Sequence, residues 1–191
     1  HESGHVHRHE GPGFAPWALF VVFFLGPCEP LIPMIIYAAE QAGAAAALGF
    51  AEAELVPTDG HPGVWGYYDA GAERTLVVYL MYDVQPVNPE DWQSPPFEAR
   101  VIDHALGKVI MARGATNQKG PQRAFLNALE SIIAVDGTLP INIMVTAEGE
   151  EELGSPHYPQ IVDAYEERLK TADAALFPFN SQRPDGTVSV I

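Results

Sequence analysis

The pattern of apolar and polar residues predicts alternating strands and helices from residue 41 onward. Two continuous apolar runs, 74–81 and 140–147, are typical of strands buried on both faces. Segment 121–134 has apolar residues at helical spacing after a proline that suits a first helical turn, and 157–169 is predicted as a second helix. This alternation indicates an α/β fold, a three-layer sandwich with a mostly parallel central sheet.

Shorter elements complete the predicted sandwich. Residues 41–53 are rich in alanine and favour a helix. Alternation and turn residues predict short strands and a hairpin around Ala105-Leu106-Gly107. The predicted short strands are 54–56, 64–68, 98–103, 108–112 and 174–177.

The first forty residues differ in kind from the rest. Four of the seven histidines lie in the first nine positions, and they are either a loose nickel or zinc site or a remnant of a tag or loop. Segment 14–39 has Glu29 as its only charge and is long enough to cross a bilayer, although its prolines would interrupt a helix. We therefore predict two parts, 1–40 and 41–191, in a fragment or fusion joined near Glu40, with membrane contact through 14–39 if that segment is genuine.

The acidic composition restricts the classes of partner. A net charge of −15 argues against the basic face that binding of nucleic-acid phosphates needs, so we expect no nucleic-acid partner. A cationic ligand or bound metal ions would match the surplus of carboxylates, although a solvated acidic surface explains most of the charge more simply. The 47% apolar and 18% charged residues favour a folded core, and the single cysteine excludes an internal disulfide.

Three motifs carry the candidate chemistry. They are YDVQP at 82–86, ARGATNQKG at 112–120 and AEGEEELGS at 147–155. Each lies where a predicted strand gives way to a polar loop with glycine or proline, which is where α/β enzymes place their reactive groups. We therefore expect the three motifs to meet at the tips of adjoining strands.

The motifs, with the surrounding sequence EDWQSPPFEARV, resemble those of the co-catalytic di-zinc hydrolases. That family includes aminoacylase, carnosinase-like dipeptidases, glutamate carboxypeptidase and succinyl-diaminopimelate desuccinylase, and the resemblance covers roughly residues 45–180. It implies a cytoplasmic hydrolase that cleaves amide or peptide bonds of small N-acyl amino acids or dipeptides with two zinc ions. It also implies a homodimer only for a full-length protein, since the lid domain that provides dimer contacts would lie beyond Ile191.

The resemblance assigns roles to individual residues. Glu151 stands where the family keeps its general base, and Glu152 where it keeps a metal-binding carboxylate. Asp83 matches the aspartate that orients a histidine ligand, but Met81 occupies the position of that histidine. Asn117 stands where an aspartate bridges the two ions. The candidate catalytic residues are therefore Glu151 and Asp83, and the candidate metal residues are Glu152 and Asn117.

Met81 and Asn117, which replace two expected metal ligands, weaken the expected zinc centre. A thioether is a poor zinc ligand, and a neutral amide cannot bridge two cations with a full negative charge. A further aspartate ligand is expected near 177–180, where Phe179 or Asn180 stands instead. We therefore predict that this chain holds no stable two-zinc centre and hydrolyses nothing efficiently.

Simpler explanations stay open for each residue. Glu150–Glu152 would be a solvated acidic loop, Asp83 a turn cap, Asn117 an Asx-turn residue and Met81 a core residue. His157 is the best placed substitute ligand. Two other functions also remain: a non-catalytic relative that acts as a binding or scaffold module, and a membrane-tethered fragment. The latter follows from a resemblance of 14–39 to segments of urease-accessory and sulfite-exporter-type transporters.

Overall fold

The computed structural model describes residues 42–43, 45–179 and 187. The predictions for 1–40, including the histidine cluster, the apolar segment and its transporter resemblance, lie outside the described residues. So do Asn180 and the predicted boundary at residue 40. Within the described ranges, no helix is long and apolar enough to cross a bilayer.

A five-stranded mixed sheet forms the centre of the fold, and a separate hairpin lies apart from it. In chain order the strands are β1 (Glu52–Val56), β2 (Gly63–Tyr68), β3 (Thr75–Met81), β4 (Arg100–His104), β5 (Gly107–Met111), β6 (Asn142–Glu148) and β7 (Ala174–Leu176). The main sheet has the spatial order β1-β2-β6-β3-β7, and β4 pairs with β5. β3 runs parallel to β6 and β7, whereas β2 is antiparallel to β1 and β6. Four of these five strands therefore point the same way, which confirms the predicted mostly parallel sheet.

Helices cover both faces of this sheet. They are α1 (Gly120–Asp136), α2 (Tyr158–Ala164) and α3 (Glu166–Leu169). On one face, Leu129 of α1 packs with Val78 and Val145, and on the other, Ile161 of α2 packs with Trp65 and Met144. Neighbouring residues of β6 thus belong to opposite cores, as the alternation of side chains along a strand requires. The predicted three-layer sandwich is confirmed.

The predicted helix over 157–169 is interrupted at Tyr165. This residue has φ −124° and ψ 20°, outside helical geometry. Its ring stacks on Trp65 with centroids 4.0 Å apart, and its hydroxyl donates a hydrogen bond to Glu54 Oε1 at 2.8 Å. The contact with the sheet therefore takes precedence over continuation of the helix.

The predicted helix over 41–53 is too long at its C-terminal end. Helical geometry ends at residue 47 among the described residues, and Glu52 already pairs with Tyr67 of β2. The local preference of alanine for helix is overridden by strand pairing at this point.

Candidate functional site

The first and third motifs meet at the carboxyl ends of β3 and β6. The two strands are parallel neighbours, with Met81 opposite Glu148. Asp83 follows the end of β3, and its Oδ2 accepts a hydrogen bond from the backbone N–H of Glu152 at 2.9 Å. Because parallel strands end at the same edge, Asp83 and the glutamate loop are held together by the topology of the sheet.

The second motif follows β5 of the separate hairpin and not, as predicted, a strand that adjoins β3 and β6. Lys119 of this motif and Gln122, which comes just after it, anchor the segment to the same edge of the main sheet. Lys119 Nζ donates to the carbonyl of Tyr82 at 2.6 Å, and Gln122 Nε2 donates to the carbonyl of Met81 at 2.5 Å. The chain turns sharply before α1, where Gln118 adopts φ 76°. These contacts bring Asn117 to the glutamate loop, where its Nδ2 donates to Glu152 Oε1 at 3.3 Å.

The carboxylate of Glu152 is thus held by two side-chain amides. Gln85 Nε2 donates to Glu152 Oε2 at 2.9 Å and to its carbonyl oxygen at 3.2 Å. With Asn117 on Oε1, each carboxylate oxygen accepts an N–H. Glu152, Asp83 and Asn117 therefore belong to one hydrogen-bonded network.

A further carboxylate, Glu148, lies at this site and was missed by the sequence analysis. It is only 2% exposed, and its Oε1 accepts hydrogen bonds from Tyr79 Oη at 2.6 Å and Ser155 Oγ at 2.8 Å. Its Oε2 is buried without a partner, and the same holds for Oδ1 of Asp83. The available signal was a charged residue at the end of a strand in which every residue is buried.

Three of the carboxyl groups are harder to ionise than usual. Burial is the main cause that raises the pKa of Asp83, of Glu148 and of Glu151. For Glu151, the negative charges of Glu152, Asp83 and Glu148 raise the pKa further. In the described part of the chain, none of these four carboxylates forms an ion pair with a basic side chain. We call these four groups, Asp83, Glu148, Glu151 and Glu152, the carboxylate cluster.

His157 does not join this cluster. Its Nδ1 lies 2.7 Å from Oε2 of Glu150, a residue that is only 7% exposed. Gly60 packs directly on this pair, since a Cβ at that position would overlap both side chains. The loop before β2 thus packs on His157 and Glu150 through Gly60. Glu150 contacts this loop and His157 and does not belong to the carboxylate cluster.

The residues present do not fit a two-zinc centre. Across the described ranges, no group of three or more His, Cys, Asp or Glu side chains is arranged to hold a metal ion. Met81 is 2% exposed and offers only a thioether, and Phe179 is an exposed aromatic residue. Asn117 presents an N–H, and not a lone pair, toward Glu152.

Comparisons with known proteins agree with the fold and the motifs. The family model of Peptidase family M20/M25/M40 matches residues 79–190. The Cys-Gly metallodipeptidase of Saccharomyces cerevisiae is 36% identical over 92 residues, which cover 48% of this chain and 19% of that protein. The Beta-Ala-His dipeptidase of Homo sapiens is 37% identical over 96 residues, covering 50% and 18%. A solved M20 family metallo-carboxypeptidase from Sulfolobus solfataricus superimposes with a TM-score of 0.69 at 30% identity, covering 82% of this chain and 38% of that one.

The matched region spans about a fifth of the length of these curated dipeptidases. The transporter resemblance of segment 14–39 receives no support from these relatives. The resemblance to metallopeptidases and aminoacylase-like hydrolases is confirmed. Because the family model matches more than half of the sequence, the chain belongs to peptidase family M20/M25/M40.

Proposed function

We propose that the protein is a dipeptidase-like member of its family that binds small peptides or N-acyl amino acids, and that this chain does not cleave them. The ligand class is supported by relatives that carry the names Cys-Gly metallodipeptidase, Beta-Ala-His dipeptidase and Succinyl-diaminopimelate desuccinylase. Lack of cleavage follows from the ligand set at the strand ends, which does not suit two zinc ions.

The observation that carries the proposal is the pair of amides on Glu152. A carboxylate that binds a metal must direct its lone pairs at the cation, but here Gln85 and Asn117 donate N–H groups to both oxygens. Exchange of these bonds for a metal would leave two amide groups to find new partners, at a cost of about 1 kcal/mol for each bond. Met81 and Asn117 would contribute little to metal affinity, because neither supplies an anionic or imidazole ligand.

The second candidate is an active hydrolase with Glu151 as general base and Glu152 on a metal. One observation favours it: burial and the neighbouring carboxylates raise the pKa of Glu151, in the direction that suits a base working near neutral pH. The proposals differ in whether the chain takes up metal.

Calorimetric titration with zinc or cobalt separates the two. The full chain is first treated with EDTA and dialysed, and the Glu152→Ala variant is the control. We expect no stoichiometric binding in the micromolar range for the wild type. Micromolar binding that the Glu152→Ala change abolishes would instead support the active hydrolase.

A further inference from the structure

The loop between β1 and β2 reaches the segment that carries Asp83. We call this loop, residues 57–62, the strap. At its C-terminal end, the carbonyl of Pro62 accepts a hydrogen bond from the hydroxyl of Tyr82 at 2.5 Å. Tyr82 is only 2% exposed and directly precedes Asp83. The strap therefore holds the residue next to one member of the carboxylate cluster.

The strap also contacts the glutamate loop. A Cβ at Gly60 would lie 2.3 Å from Oε1 of Glu150, so the backbone of the strap packs against this buried side chain. The carbonyl of Glu150 accepts the backbone N–H groups of Leu153 at 3.0 Å and of Ser155 at 2.9 Å. These two bonds close the turn over 151–154, which carries two members of the cluster. A displacement of Glu150 would therefore be transmitted to that turn.

The outer side of the strap is anchored to α2. Gln160 exchanges two hydrogen bonds with Asp59, since its Oε1 accepts the backbone N–H at 2.9 Å and its Nε2 donates to Oδ2 at 2.7 Å. Within the strap, the hydroxyl of Thr58 donates to the carbonyl of His61 at 2.8 Å and accepts the N–H of Gly60 at 3.1 Å. The strap is therefore one hydrogen-bonded unit, and a change at the exposed Asp59 reaches the cluster through it.

We propose that the strap is a positioning element, which sets where the glutamate loop lies relative to Asp83. Those two segments are joined directly by the bond from the Glu152 N–H to Asp83, and the strap contacts the residue that precedes the cluster on each of them, Tyr82 and Glu150. Reactive groups keep a fixed geometry only when such surrounding contacts support them. The inference goes beyond the proposed function, because it concerns how the cluster is held and applies whether the site takes a peptide or a metal ion.

The test is an NMR comparison of the full chain and its Asp59→Ala variant in EDTA. The reporters are the side-chain NH2 groups of Gln85 and Asn117, which donate to Glu152. The substitution removes the acceptor of Gln160 and loosens the strap. We therefore expect both NH2 signals to shift and hydrogen exchange of the Glu152 amide to become about threefold faster.

Asp59→Asn is the matched control, because it removes the same charge and its carbonyl oxygen still accepts from Gln160. Its reporter signals should equal those of the wild type. Equal shifts in both variants would mean that the charge of Asp59 acts on the cluster, and no shift in Asp59→Ala would mean that the strap does not position it. Either result overturns the proposal.

A second variant, Gly60→Ala, acts on the inner side of the strap. The added methyl group would overlap Glu150 and His157, and Gly60 is not one of the glycines with positive φ, so the backbone accepts alanine. We expect the reporter signals to shift here too. Gly43→Ala, whose added Cβ meets no atom within 4 Å, should leave them unchanged. Unchanged signals in Gly60→Ala would also refute the positioning role.

An internal reference separates positioning from general loosening of the sheet. The side-chain NH2 of Asn142 donates to the carbonyl of Ala72 at 2.8 Å, at the opposite end of β6 from the glutamate loop. Its signal should stay in place in every variant, and a shift as large as those of the reporters would contradict the proposal. Stoichiometric zinc binding by the wild type would sink the proposed function alone, since the strap variants are compared in EDTA.

Discussion

The side chain of Asp83 accepts the backbone N–H of Glu152 at 2.9 Å, which ties the loop after β3 to the loop after β6. One oxygen of Asp83 makes this bond, and the other is buried without a partner. Backbone N–H groups of Glu152, Glu151 and Asp83 itself lower the pKa of this carboxyl, against the larger effect of burial, which raises it. Asp83 therefore organises the glutamate loop through its contacts with the loop backbone.

The role of Asp83 in fixing the glutamate loop is tested by Asp83→Ala. Loss of the acceptor leaves the Glu152 amide free, and at about 1–3 kcal/mol per bond its hydrogen exchange should accelerate by roughly 5- to 150-fold. Asp83→Asn is the matched control, since the amide carbonyl can still accept this N–H. Unchanged exchange in Asp83→Ala would show that the loop is held by other contacts.

Gly149 is required by the ring of Tyr82. A Cβ at this position would lie 2.5 Å from the Tyr82 hydroxyl oxygen, and that hydroxyl is fixed by donating to the carbonyl of Pro62 at 2.5 Å. Because the buried ring cannot retreat, Gly149→Ala should lower the free energy of unfolding by about 1–3 kcal/mol.

Urea denaturation measures this loss, with Gly43→Ala as control. A Cβ at Gly43 meets no atom within 4 Å, and the residue is helical, so this change should be neutral or stabilise by about 0.5–1 kcal/mol. An equal response of the two variants would show that the ring is free to move.

Glu148 makes the stability depend on pH in a direction opposite to that of a salt-bridged carboxylate. Its pKa is raised above the ordinary value of 4.5, mainly by burial, so the unfolded chain releases this proton at lower pH than the folded protein. The contribution of this group to the free energy of unfolding is therefore lost as pH rises above 4.5 toward the folded pKa.

Glu148→Gln cannot lose that proton. We expect the difference in unfolding free energy, variant minus wild type, to increase with pH across this window and then to level off. Urea denaturation in EDTA at a series of pH values measures the difference. A difference that is constant with pH would contradict the assignment of a raised pKa to Glu148.

A two-residue change should restore metal binding. Met81→His with Asn117→Asp supplies an imidazole and an anionic ligand beside Glu152, at the positions where the family resemblance places metal ligands. Since even supporting changes alter metal affinity by about 10- to 100-fold, zinc affinity should rise by at least about 100-fold. In EDTA the double variant should be less stable than the wild type, because the introduced aspartate would face the carboxylate of Glu152.

Thermal denaturation with and without zinc gives a readout that needs no substrate, since a ligand that binds only the folded state raises the transition temperature. Addition of Glu152→Ala to the double variant should abolish the effect of zinc. A double variant that zinc does not stabilise would mean that the scaffold, and not only the ligand set, has been lost.

The sequence predicts the sheet and α1 well because their signals are local. The apolar runs of β3 and β6 and the proline in the first turn of α1 predict those elements without tertiary information. The break at Tyr165 could not be predicted, because it depends on Trp65, a residue distant in the sequence that stacks on it. The end of the first helix near residue 47 could not be predicted for the same reason. It depends on the pairing of β1 with β2, which is a tertiary contact.

For the site, the sequence predicts correctly that these residues lie at the carboxyl ends of β3 and β6. It does not predict which hydrogen bonds they form. Asp83, Asn117 and Glu152 are joined as the motif order suggests. Gln85 and Glu148 were overlooked, because the first is one polar residue in a loop and the second lies at the end of a buried strand. The catalytic and metal roles of Glu151, Asp83, Glu152 and Asn117 remain predictions.

The most direct measurement of the central claim is the NMR signal of the side-chain amides of Gln85 and Asn117 during a zinc titration. If these amides hold Glu152 in place of metal, both NH2 groups should keep their shifts as zinc is added at micromolar concentrations, and both should move in Glu152→Ala. Stoichiometric displacement of both signals by zinc in the wild type, saturating at two ions per chain, would contradict the account.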